Sequence, residues 1–476
     1  MKGRHVMSGC LCVLLAQSAL TQNSSSIPVK PAGSGTLVVK PKNPQPPAPD
    51  PDCVPGAVCP PKPDPARPTR PRSRSRSEAD VPAGRDDPQT PSPAADPAAA
   101  PTAGTATAPA APTASVASAG LATRELLVTS TDIAEGDAQR QWFAQQGIGV
   151  LRRRTLANLG WVLTVYRIPP GTDLPTVLAA FAGQWPHSEP EENQRYLPQS
   201  ATPNDAAATH IDYAAALIGM PSGCARMIEV AMLDGPVNVS LPALAARGIR
   251  TLDIAERGAR PEYAHATGIA AILLGTGDLQ GTGDLQGLVP NAALLAVNVF
   301  GTQRGKPFTT TEWILRGLDA VLGQKPMPAV VNLSFGGGRS EQLGRAITRV
   351  LEHARVVAAA GNDGATQPVF PAAYPGVVAV TAVDARQRRW PRANAGEFIA
   401  IAAPGVDVWT IDGEGRGYYA SGTSFAAAYV TAALALGAPQ QSAVPTWLRL
   451  HAGDLGSPGR DRLFGFGLIK ANGLCK

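Results

Sequence analysis

VVAAAGNDG, residues 356–364, decides how the C-terminal half of the chain is read. Five small apolar residues in a row are too few for a helix and do not alternate, so they suit a strand buried on both faces. The Gly-Asn-Asp-Gly that follows turns the chain at the carboxyl end of that strand. Outward from it, IEVAML (228–233), ALLAVNVF (293–300), AVVNLSF (329–335) and VVAVTAV (377–383) repeat the pattern, with helix-like segments between them. Such an order predicts an α/β domain with a mainly parallel sheet over about 224–476, with reactive groups at the carboxyl ends of its strands. About 250 residues suffice to bury one core of this kind.

Polar residues fall at those ends. Asp234 directly follows IEVAML, His265 opens HATGIAAILL, Asn362 follows VVAAAG, and Ser424 lies in SGTS ahead of the apolar run FAAAYVTAALAL. These are the four parts of acyl-transfer chemistry. A serine hydroxyl becomes a nucleophile when an imidazole takes its proton, and a carboxylate fixes that imidazole's tautomer. A backbone N–H at a helix start and an amide side chain can then hold the developing oxyanion.

With these residues in place, the chain resembles the subtilisin-like serine proteases, the subtilases of peptidase family S8. The order Asp, His, Ser is that family's, and SGTSFAAAYV (421–430) is similar to its serine signature. AAAGNDG followed by VFPAAYPGVVAVTAVD resembles its oxyanion segment, VVNLSFGG the strand lining its cleft, and GSPGRDRLFGFGLIKA the end of its domain. The resemblance implies a three-layer fold and a serine endopeptidase that works through an acyl-enzyme and requires no cofactor. It makes Asp234, His265 and Ser424 the triad and Asn362 the oxyanion donor. Ser334, Phe335 and Gly336 would pair with substrate backbone, Gly361 would line the primary pocket, and the small residues there leave room for a sizeable apolar side chain. Three segments depart from the pattern. LDGPV lacks the usual serine or threonine after the aspartate, HATG stands for HGTH, and Ala428 replaces a proline. A catalytically impaired binding or regulatory protein on the same fold is therefore the alternative.

Ahead of this domain, residues 124–199 read as β-α-β-β-α-β: RELLVTS, DIAEGDAQRQWFAQQG, GIGVLRRRTL, GWVLTVYRIP, TDLPTVLAAFAGQW and ENQRYLPQ as a last edge strand. That order predicts a small ferredoxin-like α+β unit. The resemblance implies that it is a propeptide, an intramolecular inhibitor removed by self-cleavage, with residues 200–223 as processing linker and the cut between about Tyr196 and Cys224.

The first 22 residues, MKGRHVMSGCLCVLLAQSALTQ, have a basic start, a short apolar core and small residues suited to cleavage after Ser18. They read as a secretory signal, too short in its apolar core to span a membrane. The product is expected in the periplasm, at the cell surface or outside the cell, and as a monomer. Between 23 and 123 lies a Pro/Ala-rich linker carrying 23 of the 46 prolines and too few large apolar residues to fold. Deleting it tests a third idea, that this arm makes the chain an adhesion protein. Its basic run RPTRPRSRSRS lacks a scaffold and stacking aromatics, so nucleic acid is not an expected partner. Export places Cys53, Cys59, Cys224 and Cys475 in an oxidising compartment, and we expect the pairs Cys53–Cys59 and Cys224–Cys475.

One feature is a perfect tandem repeat, GTGDLQGTGDLQ at 275–286. It falls where many subtilases carry a calcium loop, and Asp278, Asp284, Gln280 and Gln286 could offer oxygens. A tolerated surface duplication is the simpler reading.

Overall fold

The computed structural model describes residues 124–199, 212–221, 227–255, 262–278, 284–437 and 439–475. The signal segment 1–22, the linker 23–123, most of the stretch 200–223, and Gln280, Cys53, Cys59 and Cys224 lie outside them.

A nine-stranded sheet organises the C-terminal part. From edge to edge it runs Ala452–Gly453, Leu468–Ile469, Ile401–Pro404, Val378–Val383, Arg355–Ala359, Val330–Leu333, Glu229–Asp234, Ala293–Asn298 and Ile249–Asp253. Every neighbouring pair is parallel except the first. Side chains alternate between faces, as the pleat requires. Val230 and Met232 pack with the helices Ala264–Leu274 and Thr423–Gly437. Ala231 and Leu233 pack with Thr311–Leu322 and Glu341–Leu351 on the other side. Helices on both faces are why these strands read as unbroken apolar runs. In Thr423–Gly437 every residue from 423 to 436 is buried, as befits a helix apolar all round.

Residues 124–199 form their own antiparallel sheet in the order Gly149–Leu156, Trp161–Arg167, Glu125–Ser130, Glu191–Glu192. One face is closed by the helices Ile133–Gln145 and Leu174–Gln184, each capped by an aspartate, Asp132 and Asp173. Phe143, Tyr166 and Phe181 fill that interior. The opposite face, with Leu127, Leu163 and Val165, shares a core with Ile314, Leu318, Leu343 and Ile347 of the large domain's helices. Arg152 reinforces the junction, reaching both Glu125 and the buried Glu312 at 2.7 Å.

The last strand corrects the sequence expectation. ENQRYLPQ is not the edge of the small sheet: only Glu191 and Glu192 pair there, and Arg195–Pro198 leaves to lie antiparallel between Lys306–Thr310 and Phe335–Gly337. An open edge would leave Tyr196 half in water. In the observed position it is fully buried, edge-on to Phe335 at 6.1 Å between ring centroids. Asn193 manages the departure. Its N–H donates to the Glu125 carbonyl at 2.9 Å, while its Oδ1 accepts from Glu312 N–H at 3.0 Å.

Candidate active site

Asp234 is the last residue of its strand and His265 the second of its helix. His265 Nδ1 and Asp234 Oδ1 are 2.8 Å apart, and the same oxygen accepts from the Gly235 N–H at 2.6 Å. With Nδ1 engaged by the carboxylate, Nε2 is the nitrogen available as a base. It is buried and meets no partner among the described residues. Phe425 stands edge-on to the ring at 5.8 Å. The unusual LDGPV and HATG segments do not disturb this pair. A Cβ at Gly235 would come within 3.3 Å of the Glu262 carbonyl, and Ala266 is absorbed into the core.

Ser424 is the second residue of its helix, also fully buried. Its Oγ donates to the Ser334 carbonyl at 3.0 Å, and its N–H donates to the carbonyl of Gln199 at 3.2 Å. Asn362 lies alongside. Its Oδ1 accepts from Thr423 N–H at 3.1 Å and from Thr423 Oγ1 at 2.8 Å, so the amide is oriented with Nδ2 buried and unpartnered. Thr423 Oγ1 in turn accepts from Gly361 N–H at 3.2 Å. Sequence reasoning passed over Thr423, although a hydroxyl directly before the candidate nucleophile at a helix start was a signal for it.

The cleft-lining strand is occupied by the chain itself. Phe335, Gly336 and Gly337 stand opposite Pro198, Leu197 and Tyr196, and Ser334 O accepts from Gln199 N–H at 3.2 Å. Ser334, Phe335 and Gly336 thus face a peptide backbone, that of residues 197–199. Glycine is needed for this approach: a Cβ at Gly337 would sit 2.4 Å from the Tyr196 ring. The second wall, Lys306–Thr310, was not foreseen from sequence. Gly361, at φ 109°, turns the chain out of its strand toward Asn362.

Residues 226–467 match the Subtilase family. The chain belongs to that family. Subtilases are serine-type endopeptidases, and the relatives agree: the subtilisin of Bacillus pumilus is 30% identical over 235 residues, covering 48% of this chain and 81% of that protein. Subtilisin E of Bacillus subtilis (strain 168) is also 30% identical over 235 residues, with 58% of its length covered. Among solved structures, fervidolysin from Fervidobacterium pennivorans, a keratinolytic enzyme related to subtilisin, superposes with a TM-score of 0.58 at 20% identity, covering 75% of this chain and 61% of that one. That likeness concerns the fold.

In this subtilase, burial alone would push the His265 imidazole down, but the Asp234 charge and hydrogen bond, helped by the Glu262 charge, outweigh it and hold the pKa above the ordinary 6.5. A base must be neutral to act, so the acid limb of kcat/KM is expected above that ordinary value. Uncovering Nε2 to water weakens the opposing desolvation and moves it the same way. Asp234→Asn removes the raising charge, and its acid limb should move down relative to wild type. A pH profile of both proteins checks this; a limb below 6.5 in wild type would contradict it.

Within the tandem repeat, Thr276–Asp278 and Asp284–Gln286 pair antiparallel, so the second copy folds back on the first and Asp278 stands opposite Asp284. Among the described residues no group of three His, Cys, Asp or Glu side chains is placed to hold a metal ion. Leu285, with 5% of its surface exposed, anchors the hairpin to the histidine helix. Cys475 is disulfide-bonded. No helix among the described residues is long and apolar enough to cross a membrane.

Proposed function

We propose that this subtilase is an exported serine endopeptidase made as a self-processing precursor, with residues 124–199 as propeptide and Asp234, His265, Ser424 and Asn362 as the reacting machinery. One observation carries the reading: the Gln199 carbonyl accepts from Ser424 N–H at 3.2 Å while Gln199 N–H donates to Ser334 O at 3.2 Å. A substrate lying as an added strand would present its reacting carbonyl in this way. The bond so presented is Gln199–Ser200.

The steps follow from the groups around it. Ser424 Oγ leaves the Ser334 carbonyl and passes its proton to His265 Nε2 as its oxygen bonds to the carbonyl carbon of Gln199. The carbonyl electron pair moves onto oxygen, held by Ser424 N–H and Asn362 Nδ2. Asp234 steadies the imidazolium. The C–N bond then breaks, His265 returns the proton to the Ser200 amine, and Gln199 remains as an ester on Ser424. Water, deprotonated by the same imidazole, releases the Gln199 carboxylate. Protein and peptide substrates would follow the same course once the tail has gone.

Export rests on the pattern of residues 1–22 and leaves the periplasm, the cell surface and the medium as destinations. A serine-directed fluorophosphonate tests the chemistry. It should label the processed protein at Ser424 and fail on Ser424→Ala and His265→Ala. Absence of labelling in a folded, processed wild type would leave the fold as a binding protein.

A further inference from the structure

The Gln199 side chain lies against Gly336, and Val369 reaches from there to Gly361, which Asn394 adjoins. Gln199 is 8% exposed. Its Nε2 lies 2.9 Å from where a Cβ on Gly336 would stand, and Val369 Cγ1 lies 2.5 Å from that point. Val369 Cγ2 is 3.4 Å, and Asn394 Nδ2 is 2.2 Å, from the corresponding point on Gly361. The two methyls of Val369 therefore span from one glycine to the other and narrow the pocket. The room for a large apolar side chain that the small residues suggested is reduced accordingly.

Asn394 supplies the chemistry. It is fully buried, and its Oδ1 accepts from the N–H groups of Asp363 at 3.1 Å and Ala365 at 3.0 Å. The carbonyl end being committed, Nδ2 is fixed as a donor, and it meets no acceptor among the described residues. Leaving such a donor unpaired costs about 1–3 kcal/mol. A side chain that brings a carbonyl removes that cost, whereas leucine or phenylalanine does not. A glutamate would bring oxygen but also a charge beside these uncharged residues. Glutamine offers the oxygen without the charge. In the chain's own tail, Gln199 Nε2 turns back to the Leu197 carbonyl at 3.3 Å and Oε1 makes no hydrogen bond with Asn394 Nδ2, so the pairing is one that a substrate glutamine would make by turning its amide.

We infer that this subtilase cleaves after glutamine, and that Asn394 is a specificity-determining residue for that choice. The inference rests on the protease reading above and names the substrate class of the same site, segments ending in Pro-Gln before the cut. Pockets that hydrogen-bond a substrate group reject analogues lacking it far more strongly than apolar pockets reject a size change.

The test uses the processed enzyme with coumarylamide peptides Tyr-Leu-Pro-Xaa, the sequence of residues 196–198 followed by Gln, Glu, Leu or Phe. The glutamine peptide should exceed each of the others in kcat/KM by at least about tenfold. Asn394→Asp keeps an oxygen for the two backbone N–H groups and replaces the donor by an acceptor. It should reduce the Gln-to-Leu ratio at least about tenfold, which a merely structural role would not do. Should that variant fail to mature, Val369→Ala is the second, expected to raise the Leu and Phe peptides relative to Gln. Leucine or phenylalanine cleaved as fast as glutamine by wild type overturns the inference and leaves the protease reading standing. An unchanged ratio in Asn394→Asp overturns the role of that residue. Hydrolysis of none of the four removes the inference, and the fluorophosphonate result then decides whether the protease reading goes with it.

Discussion

His265→Ala is expected to lower kcat about a millionfold while the fold is retained. The expectation follows from the site's single base. Among the described residues, His265 Nε2 is a buried, unpartnered nitrogen that can take a proton, and the ring's tautomer is fixed by the 2.8 Å contact with Asp234. Without it, Ser424 Oγ keeps its hydrogen bond to the Ser334 carbonyl and is no better a nucleophile than the side chain of a free serine. The residues act as one unit, so adding Ser424→Ala to His265→Ala should cost little more. Single-turnover kinetics on material matured in trans, with a circular-dichroism melt beside it, would check both statements. A loss smaller than about a hundredfold would mean that the proton goes elsewhere, because triad residues ordinarily account for far more than that.

Asn362→Leu is expected to lower kcat about 10²- to 10³-fold with KM nearly unchanged. Thr423 holds the Asn362 oxygen through two hydrogen bonds, so Nδ2 is already aimed when a substrate arrives and needs no rearrangement. Its lack of a partner among the described residues fits a donor whose acceptor gains full charge only in the transition state. Leucine keeps the volume and removes the donor. Steady-state kinetics separates the cases: a rise in KM with kcat intact would make Asn362 a ground-state binding group instead.

Much of this site was legible in the sequence, for a reason that particular residues illustrate. Asp234, Asn362 and Ser424 each stand where an apolar run meets a turn or a helix start, and in a parallel sheet those boundaries share one edge. The run itself therefore carries the address. His265 announces itself in the same way at a helix start, where its ring meets Asp234, while Asn362 is held by Thr423, the residue before Ser424. What was not legible depends on distant partners. The strand character of Arg195–Pro198 could be read, but its neighbours, Lys306–Thr310 and Phe335–Gly337, are more than 100 residues away. Local pattern chose the nearer sheet, and burial of Tyr196 overrides it. Val369 opens the quoted VFPAAYPG stretch, but nothing in that pattern marks it as a pocket wall, and Asn394 carries no motif. They become pocket walls because the turn after Gly361 and the segment around Asn394 are tied by hydrogen bonds from Asn394 N–H to Gly361 O and from Asp363 and Ala365 N–H to Asn394 Oδ1. The repeat at 275–286 read more simply as a tolerated duplication than as a ligand loop, and its described ends pair with each other as two short antiparallel strands. Leu285 is buried against the histidine helix.

The central claim is that Ser424 cuts its own chain at the bond its cleft presents. The intact mass of the protein expressed from residue 23, beside an identically prepared Ser424→Ala variant, tests it most directly. Wild type should separate into two species with a new C-terminus at Gln199 and a new N-terminus at Ser200, while Ser424→Ala stays whole. Both proteins remaining whole, or both being cut at that bond, would contradict the account.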